Sequence, residues 1–183
     1  MHVRTRWGLA TGLVALAISS NVLLMLPAFS RADVQVPGSP PQNLDWQPFL
    51  VPEFGTRVDY PAGIFSVPDG NAETGIGQRF HSADGRSMLT IYTRENADDD
   101  TPANYLRKNL RMALTARDYE RITPSFFAIS AQRDGLILFS RCNFSSDVED
   151  AIHCFDLVYP SAQERAWKAI VTRISRSLRP LEG

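Results

Sequence analysis

The sequence predicts one α+β domain, an antiparallel β-sheet accompanied by two main helices, and three observations carry that reading. Asp84-Gly85 lies between β-prone runs at 77–82 and 86–94, the strongest local signal for a hairpin because both residues tolerate positive φ. Trp167, Ile170, Val171, Ile174 and Leu178 recur at spacings of three, one, three and four, which places them on one face of a helix. Pairing the β-rich runs 136–144 and 151–159 as a hairpin sets Cys142 opposite Cys154, Arg141 opposite Phe155 and Phe139 opposite Leu157. With 183 residues, 44% hydrophobic and 21% charged, the chain is long enough for one core of ordinary size.

The first 32 residues read as an export signal. His2, Arg4 and Arg6 form a short basic region, the segment from Gly8 to Leu26 is largely apolar, and Ala28-Phe29-Ser30-Arg31-Ala32 offers small residues at the spacing a signal peptidase reads. Cleavage after Ala32, or alternatively after Ser30, starts the mature chain near Asp33. The competing reading is an uncleaved anchor, since the apolar run approaches the roughly 20 residues that span a bilayer; Ser19, Ser20 and Asn21 interrupt it and favour cleavage. Without Arg4, Arg6 and Arg31 the remainder holds 16 basic and 20 acidic residues, a net charge near −4, which points away from nucleic acid as a partner.

Residues 33–45, DVQVPGSPPQNLD, have three prolines and no periodicity and read as a flexible linker, so the single domain is expected over 46–183. Trp46 to Val51 and Thr56 to Tyr60 are short strands separated by the turn Pro52-Glu53-Phe54-Gly55, and 61–71 reads as edge strand or irregular structure. Thr101 can cap a helix whose first position Pro102 suits, with Asp98, Asp99 and Asp100 at the positive end of its dipole. Leu106, Leu110, Ala113 and Leu114 form its apolar stripe. Strands follow at 119–122, 125–131, 136–144 and 151–159, with Asp134-Gly135 turning the chain between the middle two. Both faces of the last pair are substantially apolar, so the sheet should be covered on both sides. Phe126-Phe127 then places one ring on each covered side. Ser161-Ala162-Gln163-Glu164 reads as a capping box for the C-terminal helix, which Pro180 stops.

Two cysteines placed opposite each other in an exported chain of this size read as a disulfide, Cys142–Cys154. A redox or metal role with neighbouring His153 is the rival; successive strand residues point to opposite faces, so the pair does not aim at one ion.

Little else reads as chemistry. Beyond the signal segment the histidines are His81 and His153, each on an expected strand, and no Gly-x-Ser-x-Gly elbow occurs. His81 with the acids of 95–100 lacks the spacing of a calcium loop, and a helix start accounts for those acids. Gly75-Ile76-Gly77 precedes a strand rather than a helix, so no phosphate-cradling loop is formed. The sequence thus calls for no cofactor, no metal and no catalytic residue. Arg107, Lys108, Arg111, Arg117 and Arg121 cluster around the first helix, and Arg165, Lys168, Arg173, Arg176 and Arg179 decorate the last. Arg107, Lys108 and Arg111 are candidate ligand or partner contacts, against the simpler reading of solvated helix faces.

From Trp46 to Arg179 the element order resembles the PsbP-like fold: short opening strands with Phe54-Gly55 and Tyr60-Pro61, a hairpin, a helix near Pro102, antiparallel strands, and a closing helix ending in Ile174-Ser175-Arg176-Ser177-Leu178. That superfamily includes photosystem II extrinsic subunits, a nuclear GTPase-binding protein and many bacterial envelope proteins. The resemblance implies an α/β/α sandwich used as a non-enzymatic accessory or binding module, and it transfers no ligand residue. The expectation is a periplasmic or secreted binding protein whose partner is an envelope protein or small ligand, in contact with membrane only if the N-terminal segment persists. The alternative is an enzyme using His81 or His153 with nearby acids.

Overall fold

The computed structural model describes residues 43–109, 117–145 and 150–180. The expected signal peptide and residues 33–42 of the expected linker lie outside that range.

Two antiparallel sheets are formed. In the smaller, β1 (Trp46–Val51) pairs with β2 (Thr56–Pro61) around a 3-10 turn at Pro52–Phe54, and the two-residue β10 (Arg179–Pro180) lies on the other edge of β2. Gly55 closes the turn at φ 60, a left-handed conformation that suits glycine. The larger sheet has seven strands in the order β3 (Val67–Asn71), β4 (Ile76–His81), β5 (Met88–Glu95), β9 (Ala151–Pro160), β8 (Leu136–Ser145), β7 (Phe126–Arg133) and β6 (Arg117–Ile122). Helix α1 (Pro102–Asn109) connects β5 to β6, and α2 (Glu164–Ser177) follows β9. Among the described residues the fold is therefore sheet-rich and mostly β, with two α-helices; this is coarser than the sandwich that the resemblance implies.

The local signals act as the residues dictate. The β4–β5 hairpin turns through Asp84-Gly85, where the Ser82 N–H donates to the Ser87 carbonyl at 2.9 Å. Asp134 and Gly135 both adopt positive φ, 52 and 76, in the β7–β8 turn. The Asn104 N–H donates to Thr101 Oγ1 at 3.3 Å, so Thr101 caps α1 as expected. Of the stripe expected on that helix Leu106 is buried, while Leu110, Ala113 and Leu114 lie outside the described residues. The β8–β9 register sets Cys142 opposite Cys154, Arg141 opposite Phe155 and Phe139 opposite Leu157, and the two sulfurs are bonded.

The capping box is corrected. Ser161–Gln163 forms a 3-10 turn, α2 starts at Glu164, and no side chain hydrogen-bonds its N-terminus. Gln163 is instead buried, its Oε1 accepting from Trp167 Nε1 at 3.0 Å. Burying the indole requires a partner for its N–H, and that need outranks capping.

Strand alternation sorts the core into two clusters. On one face Leu89 and Ile91 of β5 and Phe155, Leu157 and Tyr159 of β9 pack with Trp167, Ile170, Val171 and Ile174 of α2, and Val58 of β2 joins them. On the other face Tyr92, Phe127, Ile129, Ile152 and the disulfide pack with Tyr105 and Leu106 of α1. Leu44 packs against the first cluster, and the Leu44 and Asp45 carbonyls accept from Gly63 and Ala62, which anchors the chain entering β1.

Candidate functional site

Helix α2 is held against β2 and β9, and the outer strands β6, β7 and β8 extend past its edge on the same face. The step between helix and uncovered sheet is a groove of about 720 Å3. Two cross-strand rows form its floor. One runs Tyr119, Ser130, Phe139 and the other Arg121, Ala128, Arg141, in each case β6 to β7 to β8. The middle strand supplies the small residue of each row, and that is why the floor is a trough rather than a flat surface. Phe126 closes one end, and the wall is the side of α2 carrying Lys168, Val171, Thr172, Ser175 and Arg176.

The charge of this groove is lopsided. Arg121, Arg141, Arg165, Lys168 and Arg176 line it, against the single acid Glu164. Among the described residues none of those five cations forms an ion pair, whereas Arg57, Arg79, Arg86, Lys108 and Arg133 each pair with an acid elsewhere. Arg141 is half-buried. Its Nε donates to Asn143 Oδ1 and its Nη1 to Ser175 Oγ, both at 2.9 Å, and its guanidinium lies 4.3 Å from the Phe126 ring centroid. Arg121 stands over the same ring at 5.3 Å. Burial pulls the Arg141 pKa down, and the neighbouring Arg121 charge adds to that while Tyr119 opposes it; an arginine keeps its proton regardless, so the site holds a partly desolvated positive charge. Tyr159, stacked on Trp167 at 5.0 Å, has its phenol pushed up to about 12 by burial and then by Glu164, so it is a neutral donor.

A second polar constellation lies beside the groove. Ser145 Oγ is 3.0 Å from His153 Nε2, His153 Nδ1 is 2.6 Å from Thr56 Oγ1, and Thr56 also hydrogen-bonds Thr93. Ser145 and His153 border a hollow of about 270 Å3 that shares Phe126 and Arg141 with the groove. Burial alone lowers the His153 pKa to about 4, so the imidazole is neutral at ordinary pH. His81, by contrast, sits near the surface with Nε2 2.8 Å from Asp69 Oδ2. Among the described residues no group of three or more His, Cys, Asp and Glu side chains could hold a metal ion.

No protein-family model matches the chain, and no curated protein matches it significantly. The geometry of the chain's own residues therefore carries the functional reading.

The structure distributes the residues singled out in the sequence. Cys142 and Cys154 form the disulfide inside the second core cluster. Arg107 is exposed on α1 with its Nη2 donating to Asn104 Oδ1, and Lys108 pairs with Asp100 at 2.7 Å and Asp98 at 3.5 Å. Neither lines the groove, and Arg111 lies outside the described residues. Arg121, grouped by sequence with the first helix, stands instead opposite Arg165, Lys168 and Arg176 of the last. Phe127 is fully buried as expected, whereas Phe126 is half-buried, overlain by the Arg121 and Arg141 guanidiniums rather than by α2. Sequence reasoning did not assemble Arg121, Phe126 and Arg141 into one site. The only signal for it was alternation within each strand, with Ala128 and Ser130 both small on one side of β7.

Proposed function

We propose that the chain is an exported, non-enzymatic accessory or binding protein of the bacterial envelope, a PsbP-like α/β/α module that holds an anionic partner in the groove between α2 and strands β6 to β8. The observation that carries this reading is the set of five cations in one concavity that form no ion pair among the described residues, with Arg141 partly desolvated at its floor. Half-burying a cation with no ion-pair partner among the described residues costs stability, and a site that binds anions is a reason to keep it. The placement of helices on both faces of the large sheet supports the sandwich architecture, and the disulfide is compatible with an exported protein. Among the described residues no helix is long and apolar enough to cross a membrane. The test is cross-linked co-purification from the native envelope, comparing the wild-type chain with the triple variant Arg121→Glu, Lys168→Glu, Arg176→Glu. The reading requires an acidic partner or ligand captured by the first and lost from the second; equal capture by both overturns it. Intact mass from the native host separates a chain cleaved near Ala32 from a tethered one.

A hydrolase is the second reading, favoured by the 3.0 Å contact between Ser145 Oγ and His153 Nε2. It is the weaker one, since the second ring nitrogen meets the Thr56 hydroxyl rather than a carboxylate, and a histidine with its pKa near 4 is a poor base at neutral pH. A fluorophosphonate probe that labelled Ser145 would reverse this order.

A further inference from the structure

We propose that the anion taken by the groove is a small amphipathic organic molecule, with a phosphate, sulfonate or carboxylate head on Arg141 and Arg121 and an aromatic or aliphatic body lying along Tyr119 and Phe139. The inference rests on the anion-binding reading above and specifies its ligand.

The two rows of the floor differ in character. Arg121, Ala128 and Arg141 put two guanidiniums on either side of a methyl group; Tyr119, Ser130 and Phe139 put two rings on either side of a small hydroxymethyl. The rows are two residues apart along each strand, so head and body subsites lie about 7 Å from one another, the distance between the charged and apolar parts of one small molecule. Arg141 is presented rather than free to wander, because Phe126, Asn143 and Ser175 hold its guanidinium from three sides. A pre-oriented guanidinium recognises a tetrahedral or planar anion through paired N–H donors. Val171 on the α2 wall gives the body subsite an apolar side opposite the rings. The volume of about 720 Å3 falls within the roughly 300–1,000 Å3 that small-molecule sites occupy. A flat membrane or an extended polyanion would be met by a flat basic surface, and the deepest-set charge, Arg141, would then lie out of reach.

The probes are 2-naphthyl phosphate, inorganic phosphate and 2-naphthol, titrated calorimetrically into the purified protein. Naphthyl phosphate is expected to bind at least 10-fold more tightly than either of the others. Arg141→Met should weaken it at least 10-fold. Ser130→Leu, which fills the body subsite without touching the head subsite, should weaken naphthyl phosphate and leave inorganic phosphate unchanged, with near-ultraviolet circular dichroism confirming that both variants are folded. Equal affinity for naphthyl phosphate and phosphate overturns the two-part ligand. Tight binding of a poly-glutamate peptide or of phosphatidylglycerol vesicles, lost on Arg141→Met while naphthyl phosphate is ignored, overturns the small-molecule inference but keeps the anion-binding reading. Indifference of every probe to Arg141→Met and to the triple charge reversal removes both.

Discussion

The Arg141 guanidinium lies over the Phe126 ring across neighbouring strands, its central carbon 4.3 Å from the ring centroid, although the register pairs Arg141 with Ala128 and Phe126 with Asn143. The arginine reaches diagonally along the sheet, and it can do so because the residue directly opposite is an alanine. That contact orients the one half-buried cation of the groove, and it ties ligand affinity to a residue whose removal should cost the fold little.

Replacing Arg141 by Met is therefore expected to change stability by no more than about 1 kcal/mol, because a lost cation–π contact is offset by relief of an uncompensated charge. Arg141→Lys should retain stability but bind anions less well than wild type, since an ammonium cannot donate to Asn143 and Ser175 while presenting a fork to the ligand. Chemical denaturation of the three proteins, read beside anion titration, checks both statements.

His153 predicts an acid-sensitive fold. Its pKa falls from the ordinary 6.5 to about 4 on folding, so the unfolded chain takes up a proton at a pH where the native one does not. Stability from this residue is complete above about pH 6.5 and is lost as pH falls from there through about 4. A melting-temperature profile over that window should be steeper for wild type than for His153→Gln, which keeps a polar side chain near Thr56 and Ser145 but does not titrate. Parallel profiles would count against it.

Asp156 predicts the opposite slope on the other face of the sheet. Among the described residues its Oδ1 and the neighbouring Ser140 hydroxyl make no well-formed hydrogen bond, and burial raises the carboxyl pKa, with the nearby Ser140 and Tyr92 hydroxyls only partly opposing. Stability from this group is complete below the ordinary value of 3.8 and declines as pH rises through the higher native value. Asp156→Asn removes the ionisation and supplies a donor beside Ser140, so it should stabilise the protein at pH 7 by about 1 kcal/mol. Thermal or urea unfolding at pH 7 and pH 4 reads the difference, which should shrink at the lower pH.

The disulfide joins residues 12 apart in sequence within an already paired hairpin. Chain entropy alone assigns it about 3 kcal/mol. Cys142→Ala with Cys154→Ala is expected to lower stability by about 3 kcal/mol or more, since the alanines also leave space in the second core cluster. The double variant should keep the groove, whose floor lies on the other face. Anion affinity unchanged in the destabilised protein is the expected result.

What the sequence determined was whatever depends on neighbours along the chain or on one strand pairing. Gly85, Asp134 and Gly135 specify hairpin turns because few residues adopt their positive φ, Thr101 caps its helix three residues away, and the α2 stripe follows from a 3.6-residue period. The Cys142–Cys154 register is arithmetic once the hairpin is recognised. Where two local rules competed, tertiary packing decided: Gln163 serves the buried Trp167 indole instead of leaving Ser161 and Glu164 to cap α2. The groove was decided wholly at that level. Arg121, Phe126 and Arg141 come from three strands and Lys168 and Arg176 from a helix, and no spacing in the chain records how far α2 extends over the sheet. Burial is a property of what lies opposite, and over the Phe126 ring lie two guanidiniums, Arg121 and Arg141, instead of a helix; that is why it stands half-buried at the end of a cationic groove.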